Sequence, residues 1–463
     1  MRSLVFVSVW AVACAASADN ETCSQSSTLL QVRLSKSEVV SAIDTSPSGR
    51  KLGKMGVLCR TACTVKDLEP FAGYASWLYS YSTKVPAADK VAWMNKNHVE
   101  FVPMIAWKRV STGTKENECW LRKDCTLDLD KRLEGCGSPK KCKLKRKQLL
   151  AKQRKCLATS ICSVDDVVHA LQMVKDAFKD SPTPPRFLLG FNEPYDLDDA
   201  HKTWEPAKAA DVFRHTIMPA AERVGLALVS PSTKARDYAV KKPFTWFADF
   251  IKSCWDMAKA DPPCKVDNFV AVAVHTRHCK ESYWREYFET GNAPDKHTRS
   301  NLRKELRGYV GDGPHAGGEK DWDAYFEARK FWLTETNCNS DSEEWNTYGA
   351  TGPTATEQCE RLTGSGKTPG NKRSLQSAIG LGLVRTVEEL DEFDRWAWWP
   401  FKAGNDRFMT LASTVMDESS NVQPVGRAIL AIGDAIEKGA ADTLKLDVDC
   451  SGGYPHSPPA GAA

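Results

Sequence analysis

Two glutamates stand where short apolar runs stop. Glu193 lies in Asn192-Glu193-Pro194, which closes the run in RFLLGFNEPYDLDD (residues 186–199), and Glu335 ends the run in KFWLTETNC. A carboxylate placed at the end of a buried strand is a candidate acid, base or nucleophile. Two of them facing one another suit cleavage of a glycosidic bond, one protonating the departing oxygen while the other attacks or activates water. Either alone reads as readily as a structural carboxylate holding an Arg or a loop. The pair is 142 residues apart in sequence, so the fold must bring it together. His275 ends a third apolar run, NFVAVAVH; it is either a substrate-hydroxyl partner or a satisfied buried histidine. The following HTRHC lacks a matched ligand set, and no metal is expected there.

Eight apolar runs are available to position these residues. They are KLGKMGVL ending near Leu58, YASWLYSY to Tyr81, EFVPMIAW to Trp107, RFLLGF to Phe191, LALVSPS to Ser232, NFVAVAVH to His275, KFWLTE to Glu335 and RWAWW to Trp399. Between them, stretches such as DVFRHTIMPAAERVG and TWFADFIKSCWDMAKA carry apolar residues at helical spacing. Eight strands alternating with helices predict a (β/α)8 TIM barrel, whose chemistry lies at the C-terminal ends of the strands. A doubly wound open sheet is the alternative, but its glycine-rich phosphate turn after the first strand is missing. Closing the barrel would set strands four and seven across one cleft.

The chain has 463 residues, 42% of them hydrophobic, enough for one large barrel domain. Residues 1–18 read as a secretory signal peptide, with Arg2, an apolar core and an Ala16-Ser17-Ala18 exit. An arm over 19–49, the barrel over 50–440 and a loose tail over 441–463 complete the expected organisation. Sixteen cysteines, of which Cys14 falls in the leader, indicate disulfides in an exported protein. A net charge of +4 is too mild to imply nucleic acid, and no later apolar stretch reaches the ~18 residues of a membrane span.

Two segments break the strand-helix alternation. One, after strand three (about 108–163), holds Cys119, Cys125, Cys136, Cys142, Cys156 and Cys162. Their spacing is wrong for zinc clusters, so a disulfide-stapled insertion is expected, with its connectivity open. Within it, residues 139–156 carry nine Lys or Arg and no acid, either a solvated helix face or a contact for an anionic wall surface. The other segment, polar and rich in Gly, Ser and Thr, follows strand seven. Both leave the C-terminal ends of strands and would shape the cleft.

The pieces LLGFNEP, FVPMIAW, SWLYSYS, VAVAVH, FWLTETNC and RWAWWP resemble, in order, glycoside hydrolase family 128, secreted endo-β-1,3-glucanases of the retaining barrel clan. The resemblance covers roughly residues 50–435 without the insertions. It implies Glu193 as general acid/base, Glu335 as nucleophile, Asn192 as partner of the sugar 2-hydroxyl, and His275 as a substrate contact. In that role Glu193 must hold its proton near working pH. Trp77, Tyr79, Trp107, Trp396 and Trp398 are candidate sugar platforms, although at least half of the strand-end aromatics should be core. Thr276-Arg277 and Ser80-Tyr81 depart from the family pattern and put the glucan subsites in question. The expected partner is a β-glucan polysaccharide or oligosaccharide. No cofactor is expected, because two carboxylates and water suffice. A barrel that binds wall polysaccharide without cleaving it, and a glycosidase of the same clan with another linkage, are the alternatives.

Overall fold

Each of the eight apolar runs forms a strand: β1 (Met55–Leu58), β2 (Trp77–Tyr79), β3 (Glu100–Val102), β4 (Phe187–Leu189), β5 (Ala227–Val229), β6 (Phe269–Thr276), β7 (Lys330–Thr336) and β8 (Phe393–Trp398). The computed structural model describes residues 53–59, 63–106, 109–111, 118–121, 138–158, 161–195, 204–234, 242–276, 329–336, 355–363, 384, 387–388, 393–399, 401–402, 415–438, 446 and 448–452. All of these lie in the unit Arg50–Ala463. Residues 1–52 (the leader and the arm included), Trp107 and the segment after strand seven, apart from the helix Ala355–Thr363, fall outside the described residues.

The strands pair in parallel in the order β3-β2-β1-β8-β7-β6-β5-β4. Just past β3, the Ile105 amide donates to the Leu189 carbonyl at 3.0 Å, and the Leu189 amide donates to the Pro103 carbonyl at 3.0 Å. These bonds join β3 to β4, so the sheet curls into the expected barrel. Period-two alternation then divides each strand. Met55, Val57, Leu78, Phe101, Leu188, Val272, Phe331 and Leu333 join the apolar layer beneath the helices. Gly56, Trp77, Tyr79, Glu100, Phe187, Trp332 and Arg395 take the alternate positions and fill the barrel. A Cβ on Gly56 would lie 2.1 Å from the Trp77 indole, so that indole fits only against glycine.

The helices follow the apolar spacing. Val164–Ala177 starts at a Ser163 cap whose hydroxyl accepts from the Asp166 amide, while the Asp166 carboxylate accepts from the Ser163 amide at 2.8 Å. The stretch after β4 forms Pro206–Val212, a π turn Phe213–Ile217, and Met218–Val224; Lys242–Asp256 follows β5 and Pro424–Glu437 follows β8.

The insertion after β3 begins with a hairpin the sequence did not announce, pairing Arg109–Ser111 with Glu118–Trp120 antiparallel. Its neck is closed by the disulfide Cys119–Cys162 and a bridge between Trp120 and Ile161. The basic run forms the helix Pro139–Ala158, with Lys141, Lys143, Lys145, Arg146 and Lys147 exposed. Other disulfides among the described residues are Cys59–Cys63, Cys254–Cys264 and Cys359–Cys450.

Candidate active site

The barrel interior is layered, and its lower layer is ionic and aromatic. Glu100 accepts from Arg395 at 2.6 Å and from Arg186 at 3.0 Å. The Arg395 guanidinium lies 4.4 Å from the Trp332 ring centre, 4.7 Å from Phe187 and 5.5 Å from Trp77. Burial alone would raise the Glu100 carboxyl, but Arg395 and Arg186 outweigh it and hold it below the ordinary glutamate range.

This layer corrects part of the aromatic expectation. Trp77 is completely buried, stacks on Tyr79 and donates from its indole to the Lys54 carbonyl at 3.1 Å. Tyr79 is equally buried and donates to the Thr334 carbonyl. Neither presents a face to a sugar; both are packing inside the barrel. Trp396 and Trp398 are 1% exposed and belong to the apolar layer outside the sheet, and the Trp396 indole donates to Glu388 there. Period two in β8 sends Trp396 and Trp398 outward, because the positions between them, Arg395 and Ala397, alternate inward.

The upper layer holds the three polar residues expected from the strand ends. The His275 ring is fully buried, with Nδ1 3.0 Å from Glu193 Oε1 and 3.6 Å from Glu335 Oε2. One ligand atom from each of these three residues lies within 4.8 Å of the other two. This donor set is also of a kind that holds a divalent cation. The Tyr81 hydroxyl donates to Glu335 Oε1. Glu193 and Glu335 are buried, at 7% and 2% exposure. The His275 Nε2 and the Asn192 Oδ1 are buried with no hydrogen-bond partner among the described residues.

Two local departures from regular strand geometry aim these carboxylates. In β7, Leu333 packs outward and Thr334 turns inward, its hydroxyl 3.2 Å from Ser232 Oγ. Strict alternation would send Glu335 outward again. Instead the register against β6 shifts between Leu333, opposite Val274, and Glu335, opposite His275. That bulge puts two successive side chains toward the barrel axis. Beyond β4, the Asn192 amide donates to the Ala106 carbonyl and the Glu193 amide to the Ser232 carbonyl, each at 3.0 Å, extending the pairing toward both neighbours. Glu193 then takes a left-handed backbone, φ 45°. For a non-glycine residue this costs about 1–3 kcal/mol, and such strain persists where surrounding bonds over-determine it.

Tyr81 entered the sequence reading only as a departure from the family pattern. The signal that would have found it is the alternation itself, since 77, 79 and 81 share one face of β2 and its extension.

Residues 159–289 match the sequence model of the glycosyl hydrolase catalytic core family, so the expected resemblance stands over that segment and spans the β4 and β6 strand ends with Glu193 and His275. No curated protein matches the chain. Among solved structures, an endo-β-1,3-glucanase of glycoside hydrolase family 128 (subgroup II) from Sorangium cellulosum is similar at 16% identity and a TM-score of 0.41, over 82% of this chain and 98% of that one. A subgroup VII oligosaccharide-binding protein from Trichoderma gamsii is similar at 14% identity and a TM-score of 0.41, over 85% and 96% of the two chains. A subgroup VI exo-β-1,3-glucanase from Aureobasidium namibiae is similar at 13% identity and a TM-score of 0.38, over 81% and 95%.

Proposed function

We propose that this chain is a secreted, retaining glycoside hydrolase acting on β-1,3-glucan, with Glu193 as acid/base and Glu335 as nucleophile. The observation that carries the reading is the convergence of two buried carboxylates, from the ends of β4 and β7, on one histidine. Their ligand oxygens lie within 4.8 Å. That proximity supports the retaining reading, in which the carboxyl groups are roughly 5–5.5 Å apart, over the inverting one at about 6.5–9.5 Å.

The assignment of roles follows from the contacts. Glu335 accepts from the Tyr81 hydroxyl, a bond that fixes the orientation of its carboxylate for attack. A Glu335 oxygen forms a bond to the anomeric carbon as the glycosidic bond breaks, and the leaving oxygen takes the Glu193 proton. In the second half, Glu193 removes a proton from water, water attacks the anomeric carbon, and Glu335 departs as carboxylate. His275 Nδ1 suits both halves: it accepts from Glu193 when that group is protonated, and its N–H donates when Glu193 is ionised. Asn192 Oδ1 is buried with no hydrogen-bond partner among the described residues, which supports its reading as the partner of the sugar 2-hydroxyl.

The β-1,3 linkage rests on the resemblance of the six strand-end pieces to family 128. Export is supported by the leader-like residues 1–18 and by the disulfides; no helix among the described residues is long and apolar enough to cross a membrane. The exposed cations of Pro139–Ala158 suit an anionic wall surface.

The test is product release from laminarin, curdlan, cellulose and mannan by the mature protein beside Glu193→Gln and Glu335→Gln. Cleavage of the β-1,3-glucans alone, lost in both variants, supports the whole reading. Retention on insoluble curdlan without cleavage overturns the catalytic part in favour of a binding barrel.

A further inference from the structure

Ser232, at the end of the run LALVSPS, touches the supports of both carboxylates. Its carbonyl accepts from the Glu193 amide at 3.0 Å, and its own amide donates to the Phe191 carbonyl at 2.7 Å, so it brackets Asn192 in a parallel bridge. The residues after it, Thr233–Lys234, pair with Val274 and His275 of β6. Its Oγ accepts from the Thr334 hydroxyl at 3.2 Å, and Thr334 stands in the register shift directly before Glu335. Ser232 and Thr334 are both fully buried.

The hydroxyl pair makes a connection that the backbone does not. In the sheet order β6 separates β5 from β7, so no ladder bond joins those two strands. The bond from Thr334 to Ser232 crosses over β6 inside the barrel and ties them. The Thr334 carbonyl meanwhile accepts from the Tyr79 hydroxyl of β2, which holds the peptide leading into Glu335. Glu193 has a left-handed backbone, and the Ser232 carbonyl is one of the groups that keep it there. A displacement of Ser232 therefore moves the support of Glu193 and, through Thr334, that of Glu335. An acid and a nucleophile that act on one bond tolerate little of this, since misplacement by about 1 Å costs about a hundredfold in rate.

We propose that Ser232 is a positioning residue, whose hydroxyl bond to Thr334 sets the separation between Glu193 and Glu335. It acts through the two backbones it joins. The proposal rests on the reading of those carboxylates as a hydrolytic pair. Ser230, two residues earlier, is the comparison that separates positioning from plain stability. It is equally buried, but it bonds backbone groups instead: its Oγ accepts from the Ala273 amide at 3.0 Å and donates to the Pro231 carbonyl at 3.1 Å.

The experiment measures kcat and KM on the glycan that the wild type cleaves, laminarin by expectation, for Ser232→Ala, Thr334→Val, both together, Thr334→Ser and Ser230→Ala, with urea unfolding of each. Either Ser232→Ala or Thr334→Val is expected to lower kcat about tenfold to a hundredfold, with KM changed by less than about twofold. The double variant should lose no more than the worse single, because both changes remove one link. Thr334→Ser keeps the hydroxyl and should recover most of the rate, while Ser230→Ala should lose stability and keep kcat. If one of the two link variants fails to fold, the other carries the same expectation. The ring-nitrogen resonances of His275 give a readout that needs no turnover, since Nδ1 lies against both carboxylates. They should shift in Ser232→Ala and Thr334→Val and hold in Ser230→Ala. Unchanged kcat in both link variants, losses that multiply in the double, or an equal loss of kcat in Ser230→Ala overturns the proposal. A wild type that cleaves no glycan removes the hydrolase reading, and the resonances then decide on Ser232 alone: a shift confined to the link variants keeps its positioning role, and no shift ends it.

Discussion

Replacing Glu388 by Gln should flatten the pH dependence of stability between about pH 4.5 and 7. Glu388 closes the seam between β1 and β8. The Trp396 indole donates to it at 2.6 Å and the Lys54 amide at 3.3 Å, while the Lys54 ammonium donates to the Val387 carbonyl at 3.3 Å. Burial pushes the carboxyl up from 4.5 to about 7, and the hydrogen bonds from Trp396 and Lys54 offset that only in part. Below pH 4.5 both folded and unfolded chains hold the proton, and the group's contribution is fully present. As pH rises the unfolded carboxyl ionises first, so the contribution drains away and is gone above about 7. At about 1.36 kcal/mol per pH unit, the gap corresponds to about 3 kcal/mol, an upper figure because Glu388 is only half-buried by surface area. Gln keeps the acceptor for Trp396 and cannot ionise. Urea unfolding from pH 4.5 to 7.5 should therefore show the wild type losing about 3 kcal/mol more than Glu388→Gln across that range. Parallel curves for the two proteins would refute the buried-carboxyl argument.

Three further outcomes follow from the packing and the site. Tyr81→Phe should keep the fold and lower kcat on laminarin by about tenfold, consistent with one lost hydrogen bond to a charged group; an unchanged kcat would remove Tyr81 from the reacting centre. Arg395→Met leaves Glu100 buried beside the half-exposed Arg186 alone, so stability by urea unfolding should drop by about 3–5 kcal/mol, and Glu100→Gln in the same chain should recover part of it. Replacing Cys119 and Cys162 together by Ser opens a loop with a sequence separation of 43. Loop-closure entropy makes that worth about 4 kcal/mol, and proteolysis should then cut first within the insertion.

The strand framework was legible because a barrel strand, buried on both faces, is an unbroken apolar run, and its end marks where the interior meets the cleft. Glu193, His275 and Glu335 were found at such ends, and the structure brings them together. The aromatic candidates were less legible for the same reason: in a run apolar throughout, composition does not say which alternate residue points inward. Trp396 and Trp398 go to the outer layer, while Trp77 and Tyr79 go inward but too deep to meet a ligand. The bulge before Glu335 leaves no mark in the residues, since it is a register shift against β6 and depends on what β6 presents. The insertion hairpin was hidden behind its cysteines, whose spacing left the connectivity open. The pair that closes the neck, Cys119–Cys162, spans nearly the whole segment.

The two carboxylate layers of one barrel differ in how well they suit the proposed chemistry. Glu100 lies between two guanidinium groups, which never release their protons; its charge is fixed, and it serves to hold β3, β4 and β8 together. Glu193 and Glu335 contact instead an imidazole and a phenol. A neutral imidazole can donate or accept, so it suits a carboxyl that carries a proton in one half of a cycle and lacks it in the other. The bulge in β7 makes this possible: without it the Glu335 side chain would point to the helix layer, and the second carboxylate would never reach the ring shared with Glu193. The strained backbone at Glu193 is the counterpart on β4, held by the bonds to Ala106 and Ser232 on either side. The left-handed backbone at Glu193 and the bulge before Glu335 thus fall at the two positions where a regular strand would have failed to aim a carboxylate.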